Sequence, residues 1–345
     1  MTGLRIAVTG ATGNLGTSVV RALCDDEAVD AVLGIARRRP AWTYPKLDHA
    51  TADIATDPLT HLFDGCDVVV HLAWLLQPTH QPETTWRVNA LGSKRVFEAV
   101  TDAGVPSVVY GSSVAAYSPR ADLEPVAESW PTDGSPAAAY SREKAYVERL
   151  LDVVERDHPK LRVVRMRPGF VFRRESAASQ RRLFLGPFMP VWLAKPGRVP
   201  VLPVLPDLRL QVVHSTDVAR AYRTAALSGV AGAFNLAAEP VLDVAMLADL
   251  LKARGVPVPF APVRAALGAA WRLHAVPAPP GLFDVLRRLP VMDTSRARAE
   301  LGWRPRYSAT ETMLEFLTGL RESTGFDTPP LRGRPGEVRA AAGWP

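Results

Sequence analysis

The run Leu4-Arg-Ile-Ala-Val-Thr9 passes directly into Gly10-Ala-Thr-Gly13-Asn-Leu-Gly16, and apolar residues then recur at helical spacing at Val19, Val20 and Leu23. A buried strand, a glycine turn and a helix in that order form the context in which a chain holds a phosphate. Gly10 permits the tight turn, Gly13 lets the backbone approach a pyrophosphate, and Gly16 lets the helix pack close to the strand. The helix N-terminus, with Thr12, Asn14 and Leu15 in the loop, offers N–H groups to the anion. The spacing is GxxGxxG rather than GxGxxG. Glycines that merely turn a corner would share it, but the flanking strand and helix favour the phosphate loop.

The next strand, Ala31 to Ala36, ends about 20 residues past the last glycine, where an acid would mark a ribose 2′-hydroxyl. Here Ala36 is followed by Arg37, Arg38 and Arg39. Guanidinium groups suit a 2′-phosphate, so NADP is favoured over NAD, with a solvated basic turn as the plain alternative. Asp53, beside Ile54, is placed to meet an adenine edge or to cap the following turn.

A third buried strand, Val68 to Ala73, ends in small residues where a loop must pass. A helical pattern from Glu83 to Ala103 carries Asn89 in its interior, although asparagine is a mediocre helix former. Ser107 to Gly111 is a fourth strand, followed by Ser112 and Ser113. Ligand crevices lie at the carboxyl ends of strands in open α/β sheets, so these hydroxyls are candidates to hold a substrate oxygen. A Pro-rich loop, Pro119 to Pro136, leads to Tyr140-Ser-Arg-Glu-Lys144. Tyrosine and lysine four apart share one helix face, and an ammonium beside a phenol favours the phenolate, which makes a proton-transfer pair. An ordinary amphipathic helix gives the same spacing. Val163 to Arg167 is a fifth strand, closed by Pro168-Gly169.

Beyond Phe170 the texture changes. Residues 173–207 mix arginines and prolines with Leu183, Phe184, Leu185, Phe188, Met189, Val191, Trp192 and Leu193, which reads as a lid or substrate wall. Strands are expected at Arg209 to His214 and Ala233 to Leu236, and helices at Thr216 to Leu227, Asp243 to Arg254 and Ser308 to Leu320. A Pro-rich connector separates the last two helices, and from 323 onward a Gly-, Pro- and Arg-rich tail reads as loose.

At 345 residues, 47% of them hydrophobic, the chain can bury a large α/β core or two domains sharing a cleft. No apolar run reaches the length of a membrane span and the N-terminus lacks signal-peptide character, so cytoplasmic residence is expected. The two cysteines and seven scattered histidines suggest neither a disulfide framework nor a metal site. The net charge of +6 is dispersed, which argues against nucleic acid as a partner.

Taken together these motifs resemble the extended short-chain dehydrogenase/reductase superfamily, specifically its NAD-dependent epimerase/dehydratase group, over roughly residues 4–322. The resemblance rests on Thr9 to Gly16, Asp53-Ile54, His71-Leu72-Ala73, Asn89 with Gly92, Ser112-Ser113 with Tyr117, Tyr140 with Lys144, Arg167-Pro168, His214 with Asp217, and Asp293 to Trp303. It implies a Rossmann-type doubly wound parallel sheet, residues 1–169 with strands near 209–237 returning to it. A smaller substrate domain and lid would comprise 170–208 and 238–322. It also implies a catalytic trio of Ser113, Tyr140 and Lys144, and cofactor contacts from the glycine loop, Arg37, Arg38, Asp53, Ile54, Leu72, Ala73, Asn89, Ser112, Tyr140, Lys144 and Pro168.

Departures from the family pattern narrow the function. Val114 and Ala115 stand where sugar-nucleotide dehydratases carry an acidic pair, which argues against dehydration. Phe170 and Leu210 replace an asparagine and an arginine that epimerases direct at a diphosphate, and strand alternation would turn Arg209 to the other face. With Ser113, Phe170, Phe184, Phe188 and Trp192 as substrate contacts, the expected activity is hydride transfer to or from a carbonyl or secondary alcohol of a mostly apolar small molecule. Sugar-nucleotide epimerisation is the alternative and an NADP-sensing regulator a third reading; a homodimer is left open.

Overall fold

The computed structural model describes residues 3–76, 81–185, 197–205, 207–276 and 278–332. Its centre is built from β1 (Leu4–Thr9), α1 (Asn14–Cys24), β2 (Val29–Ala36), β3 (Leu47–Thr51), the short α2 (Thr60–Phe63) and β4 (Val68–His71). There follow α3 (Pro82–Trp86), a π-helical turn Arg87–Leu91, α4 (Gly92–Asp102), β5 (Ser107–Gly111), α5 (Ala139–Asp157) and β6 (Arg162–Pro168). With β11 (Gly232–Leu236), these strands form one seven-stranded parallel sheet in the order β11-β6-β5-β4-β1-β2-β3.

Strand alternation divides the core between the two faces. Ile6 and Val8 of β1, with Val68 and Val70 of β4, pack beside Val19, Val20 and Leu23 of α1 on one side. Ala7 and Val69 join Val96, Phe97 and Val100 of α4 and Val147 and Leu151 of α5 on the other. A sheet covered on both faces explains why β4 reads as unbroken Val-Val-Val. The strand order reverses between β1 and β4, so a crevice opens at their carboxyl ends, where the glycine loop sits.

After β6 the chain leaves the sheet. Pro168 ends the ladder and Gly169 makes the turn, where a Cβ would stand 2.3 Å from the Gln211 carbonyl. The remaining elements are β7 (Phe170–Phe172), α6 (Ala177–Gln180), β8 (Val201–Val204), β9 (Arg209–Leu210), β10 (Val212–His214), α7 (Ser215–Leu227), β11 (Gly232–Leu236), β12 (Leu242–Asp243), α8 (Val244–Leu250), β13 (Arg254–Pro257), α9 (Phe260–Arg272), α10 (Pro280–Arg288), α11 (Ser295–Glu300) and α12 (Ala309–Glu322).

Several expectations need correcting. Of the strands near 209–237 only β11 returns to the large sheet; β10 pairs with β7 and β9 with β12, because Gly169 redirects β7 toward residue 211. The helix expected at 243–254 stops at Leu250, and Arg254 begins β13. The Pro-rich connector contains α9, α10 and α11; Pro259 and Pro279 stand immediately before the first two, where proline starts helices instead of breaking them.

The tail is also ordered as far as residue 332: Thr328 is fully buried and its hydroxyl donates to the Thr12 carbonyl at 2.8 Å, while Phe326 packs edge-on against Trp42. Residues 333–345 lie outside the described residues, as do Phe188, Met189, Trp192 and the side chain of Phe184. No helix among the described residues is long and apolar enough to cross a membrane.

Candidate active site

The glycine loop is shaped as its composition requires. Gly10 has φ of +74°, and a Cβ there would lie 2.6 Å from the Ala73 nitrogen; at Gly16 a Cβ would lie 2.1 Å from the Gly10 carbonyl. A Cβ at Gly13 would meet only that carbonyl, at 3.4 Å, so the backbone there is open to approach. Gly13 precedes α1 without a side-chain cap, and the first turn carries no acid, which leaves N–H groups and a favourable dipole for an anion. Asn14 donates to the Val171 carbonyl at 3.0 Å while its Oδ1 is buried without a partner among the described residues. These features fit a dinucleotide phosphate.

Beyond β2, Arg37, Arg38 and Arg39 are exposed, and none pairs with a carboxylate among the described residues. Asp53 instead takes the capping role, its Oδ1 accepting from the Ala55 N–H at 2.9 Å. Ile54 is buried in the core beneath Gly92.

A directed chain of hydrogen bonds fixes the loop after β4. Ser93 donates to the Asn89 carbonyl at 2.5 Å, so His71 donates from Nε2 to Ser93 Oγ (2.9 Å) and accepts at Nδ1 from Thr9 (2.7 Å). Thr9 Oγ1 in turn accepts from the Ala73 N–H at 3.3 Å. The π-helical turn places Asn89 inward, and its amide clamps both backbone groups of Leu75 (2.7 and 3.2 Å) and donates to Glu143 (2.7 Å). Asn89 is therefore spent on holding the loop.

Burial, with the nearby Lys144 charge as a lesser cause, pushes the His71 pKa down to about 3. The unfolded chain takes up this proton near 6.5 and the folded chain near 3. Stability should then fall by about 1.4 kcal/mol for each pH unit below 6.5 through this group alone. Urea unfolding at pH 7.0, 6.0 and 5.0 checks it; a flat profile across that range would contradict the burial of a neutral His71.

α5 carries Tyr140 and Lys144 toward the carboxyl end of β5, where Ser113 lies. Ser113 begins the short 3₁₀ turn Val114–Ala116, its hydroxyl accepting from the Ala115 N–H at 3.2 Å and lying close enough to Tyr140 to favour its phenolate. Lys144 is almost completely buried; its Nζ donates to the Gly111 carbonyl at 2.6 Å and stands 3.3 Å from the Trp74 ring centroid. One expectation changes: the Tyr140 phenol is raised, not lowered. Burial outweighs the lowering effect of the neighbouring Ser113 hydroxyl, and Lys144 Nζ lies 6.0 Å from the Tyr140 ring centroid. Ser112 is committed elsewhere, donating to Glu148 at 2.6 Å. Pro168 is buried beside Leu236 at the end of β6.

Phe170 lines a small pocket with Val114, Arg209, Gln211, Leu289, Pro290 and Val291. Arg209 thus shares a pocket with Phe170, against the alternation argument, because β9 ends at Leu210 and Gln211 interrupts the strand. Of the flanking arginines, Arg173 is buried and donates to Ser18 (2.9 Å) and Thr17 (2.7 Å) of α1, and Arg174 pairs with Glu322. His214 and Asp217 hold the C-terminal region: His214 Nε2 lies 3.2 Å from Glu315, and Asp217 accepts from the N–H groups of Arg306 and Tyr307.

The sequence reading missed Trp74, Glu143 and Glu148. Glu148 lies four residues beyond Lys144 and eight beyond Tyr140, on the same helix face, and that spacing was a readable signal. Trp74, a large aromatic just past a strand end, was another.

A doubly wound parallel sheet whose order reverses at a glycine loop defines the Rossmann-like class of α/β proteins. The model of the NAD dependent epimerase/dehydratase family matches residues 6–237, and the chain belongs to that family. Uncharacterized protein Rv2047c of Mycobacterium tuberculosis is 27% identical over 326 residues, covering 94% of this chain. The chain spans only about a third of that relative, 31% of its length. Among solved structures, MoeE5 in complex with UDP-glucuronic acid and NAD has a TM-score of 0.68 at 24% identity, over 92% of this chain and 99% of that one. UDP-glucose 4-epimerase from Thermotoga maritima, with UDP-glucose, has a TM-score of 0.71 at 19% identity, over 93% and 99%. Both likenesses concern the fold.

Proposed function

We propose that this protein is an NADP-dependent oxidoreductase that interconverts a carbonyl and a secondary alcohol on a mostly apolar small molecule. The observation that carries the reading is the convergence of Ser113 on Tyr140, with Lys144 one helical turn away and its Nζ held by the Gly111 carbonyl. Ser113 holds the substrate oxygen, and Tyr140 gives it a proton in reduction or removes one in oxidation. Gly10 to Gly16 hold the diphosphate, and Arg37 and Arg38 meet the 2′-phosphate. The cofactor, when bound, supplies or accepts the hydride. The apolar side chains of Phe170, Val114, Leu289 and Val291, which share a small pocket with Arg209 and Gln211, support a mostly apolar substrate.

A screen of aromatic, terpenoid and acyl-type ketones, followed by NADPH absorbance, tests the activity; oxidation of NADPH by none of them would remove the reading. The cofactor preference has its own expected outcome. NADP should bind more tightly than NAD in calorimetric titration, and Arg37→Ala or Arg38→Ala should shrink the gap about tenfold, the worth of one charge-assisted contact at an exposed site. Tighter binding of NAD would reverse this assignment.

Sugar-nucleotide epimerisation is the second reading, favoured by Arg209 in the Phe170 pocket. A buried diphosphate needs paired cations, and Arg173 and Arg174 are engaged by α1 and Glu322. We expect UDP to bind no tighter than millimolar. Micromolar binding that weakens with salt and with Arg209→Ala would promote the epimerase.

A further inference from the structure

We infer that Trp74 is a positioning residue for Lys144, its indole face holding the ε-ammonium charged and in place beside Tyr140. The inference rests on reading Tyr140 and Lys144 as the proton-transfer pair. One indole touches both: Lys144 Nζ lies 3.3 Å from its ring centroid, and the Tyr140 ring meets it edge-to-face at 5.9 Å and 80°. Its place is fixed from both sides. Ala73 is bonded to Thr9 and packed against Gly10, and Leu75 is clamped by Asn89.

Lys144 needs such a partner. Burial favours its neutral amine and pulls its pKa well below the usual lysine range. The groups facing it are Tyr140, Glu143 and Glu148 on α5, Tyr110 on β5 and the neutral His71 on β4. The two carboxylates favour the cation, yet each has its own partners: Glu148 is paired with Arg167, and Glu143 accepts from Thr85 and Asn89. The Gly111 carbonyl at 2.6 Å, the Tyr110 hydroxyl at 3.4 Å and the aromatic faces remain, and the Trp74 face is nearer than that of Tyr110, which stands at 5.1 Å. Tryptophan offers the strongest aromatic face for a desolvated cation. Its Nε1 is buried with no hydrogen-bond partner among the described residues, a cost that phenylalanine would avoid, so the face of the ring and not its N–H serves Lys144.

The chain has six lysines, so its ¹³Cε resonances can be followed against pH, with Lys144→Met to assign the signal. Trp74→Leu should lower the Lys144 midpoint by about one pH unit, and Trp74→Phe by less than half as much. Because Trp74→Leu risks the fold, fluorinated tryptophans provide a shape-preserving measurement: the midpoint should fall stepwise as fluorines weaken the ring face. A midpoint unmoved by fluorination, or equal shifts in the Phe and Leu variants, would show that the ring only fills space. If the midpoint moves as expected while no ketone is reduced, Trp74 keeps this role and the proposed activity fails.

Discussion

Tyr140→Phe is expected to lower turnover by about 10²- to 10⁴-fold, the usual worth of a positioned general acid, while cofactor affinity changes little. The substitution deletes one hydroxyl and leaves the ring against Trp74, so packing is kept. Ser113 keeps its bond from the Ala115 N–H at 3.2 Å, so stability should change little. Because burial raises the phenol above its ordinary value, Tyr140 is protonated at neutral pH, as reduction requires. Calorimetric binding of NADP alongside single-turnover rates separates the two effects. Near-normal turnover in the variant would show that the proton comes from elsewhere.

The central sheet was legible because its signals are local. A strand that runs into GxxGxxG, and valine runs too apolar for a one-sided sheet, specify buried parallel strands without knowledge of their partners. The C-terminal half was less legible. Pro259 and Pro279 read as connector residues because proline breaks helix interiors, yet they stand just before α9 and α10. The order in residues 323–332 was hidden for a different reason: it comes from contacts with Thr12 and Trp42, more than 280 residues earlier in the chain. The site divides the same way. Tyr140 and Lys144 were readable from one helical turn, whereas Trp74 reaches them through a loop whose path depends on Thr9 and Asn89. Ser112 was assigned to the crevice from its position after β5, but a buried carboxylate from α5 claims its hydroxyl.

Arg167→Met is expected to cost about 3–5 kcal/mol of stability, the penalty for leaving a buried charge without its partner. Glu148 is fully buried, and Arg167 meets it with two parallel bonds, Nε to Oε1 at 2.9 Å and Nη2 to Oε2 at 3.0 Å. The same guanidinium donates to the Tyr117 hydroxyl (3.1 Å) and the Glu128 carbonyl (2.8 Å), and Tyr117 passes the network to Asn235. Without Arg167, Glu148 keeps, among the described residues, Ser112 at 2.6 Å and Arg165 at 3.6 Å. Burial alone would raise this carboxyl, but the Arg167 pair, with Ser112 and Arg165, holds it below the usual glutamate range. In the natural protein its contribution is therefore fully present above the unfolded value of about 4.3 and is lost as pH falls through the lower folded value. Removal of Arg167 reverses the sign: the folded pKa rises above the unfolded one, Glu148 takes up a proton on acidification, and the penalty shrinks. Urea unfolding at pH 7.5 and 5.0 should show a smaller difference between natural protein and variant at the lower pH. Adding Glu148→Leu should recover most of the loss at pH 7.5, since an apolar pair leaves no buried charge. A penalty below about 1 kcal/mol, or one independent of pH, would mean that water reaches Glu148 and that the pair does not anchor Ser112 beneath the Ser113–Tyr140 site.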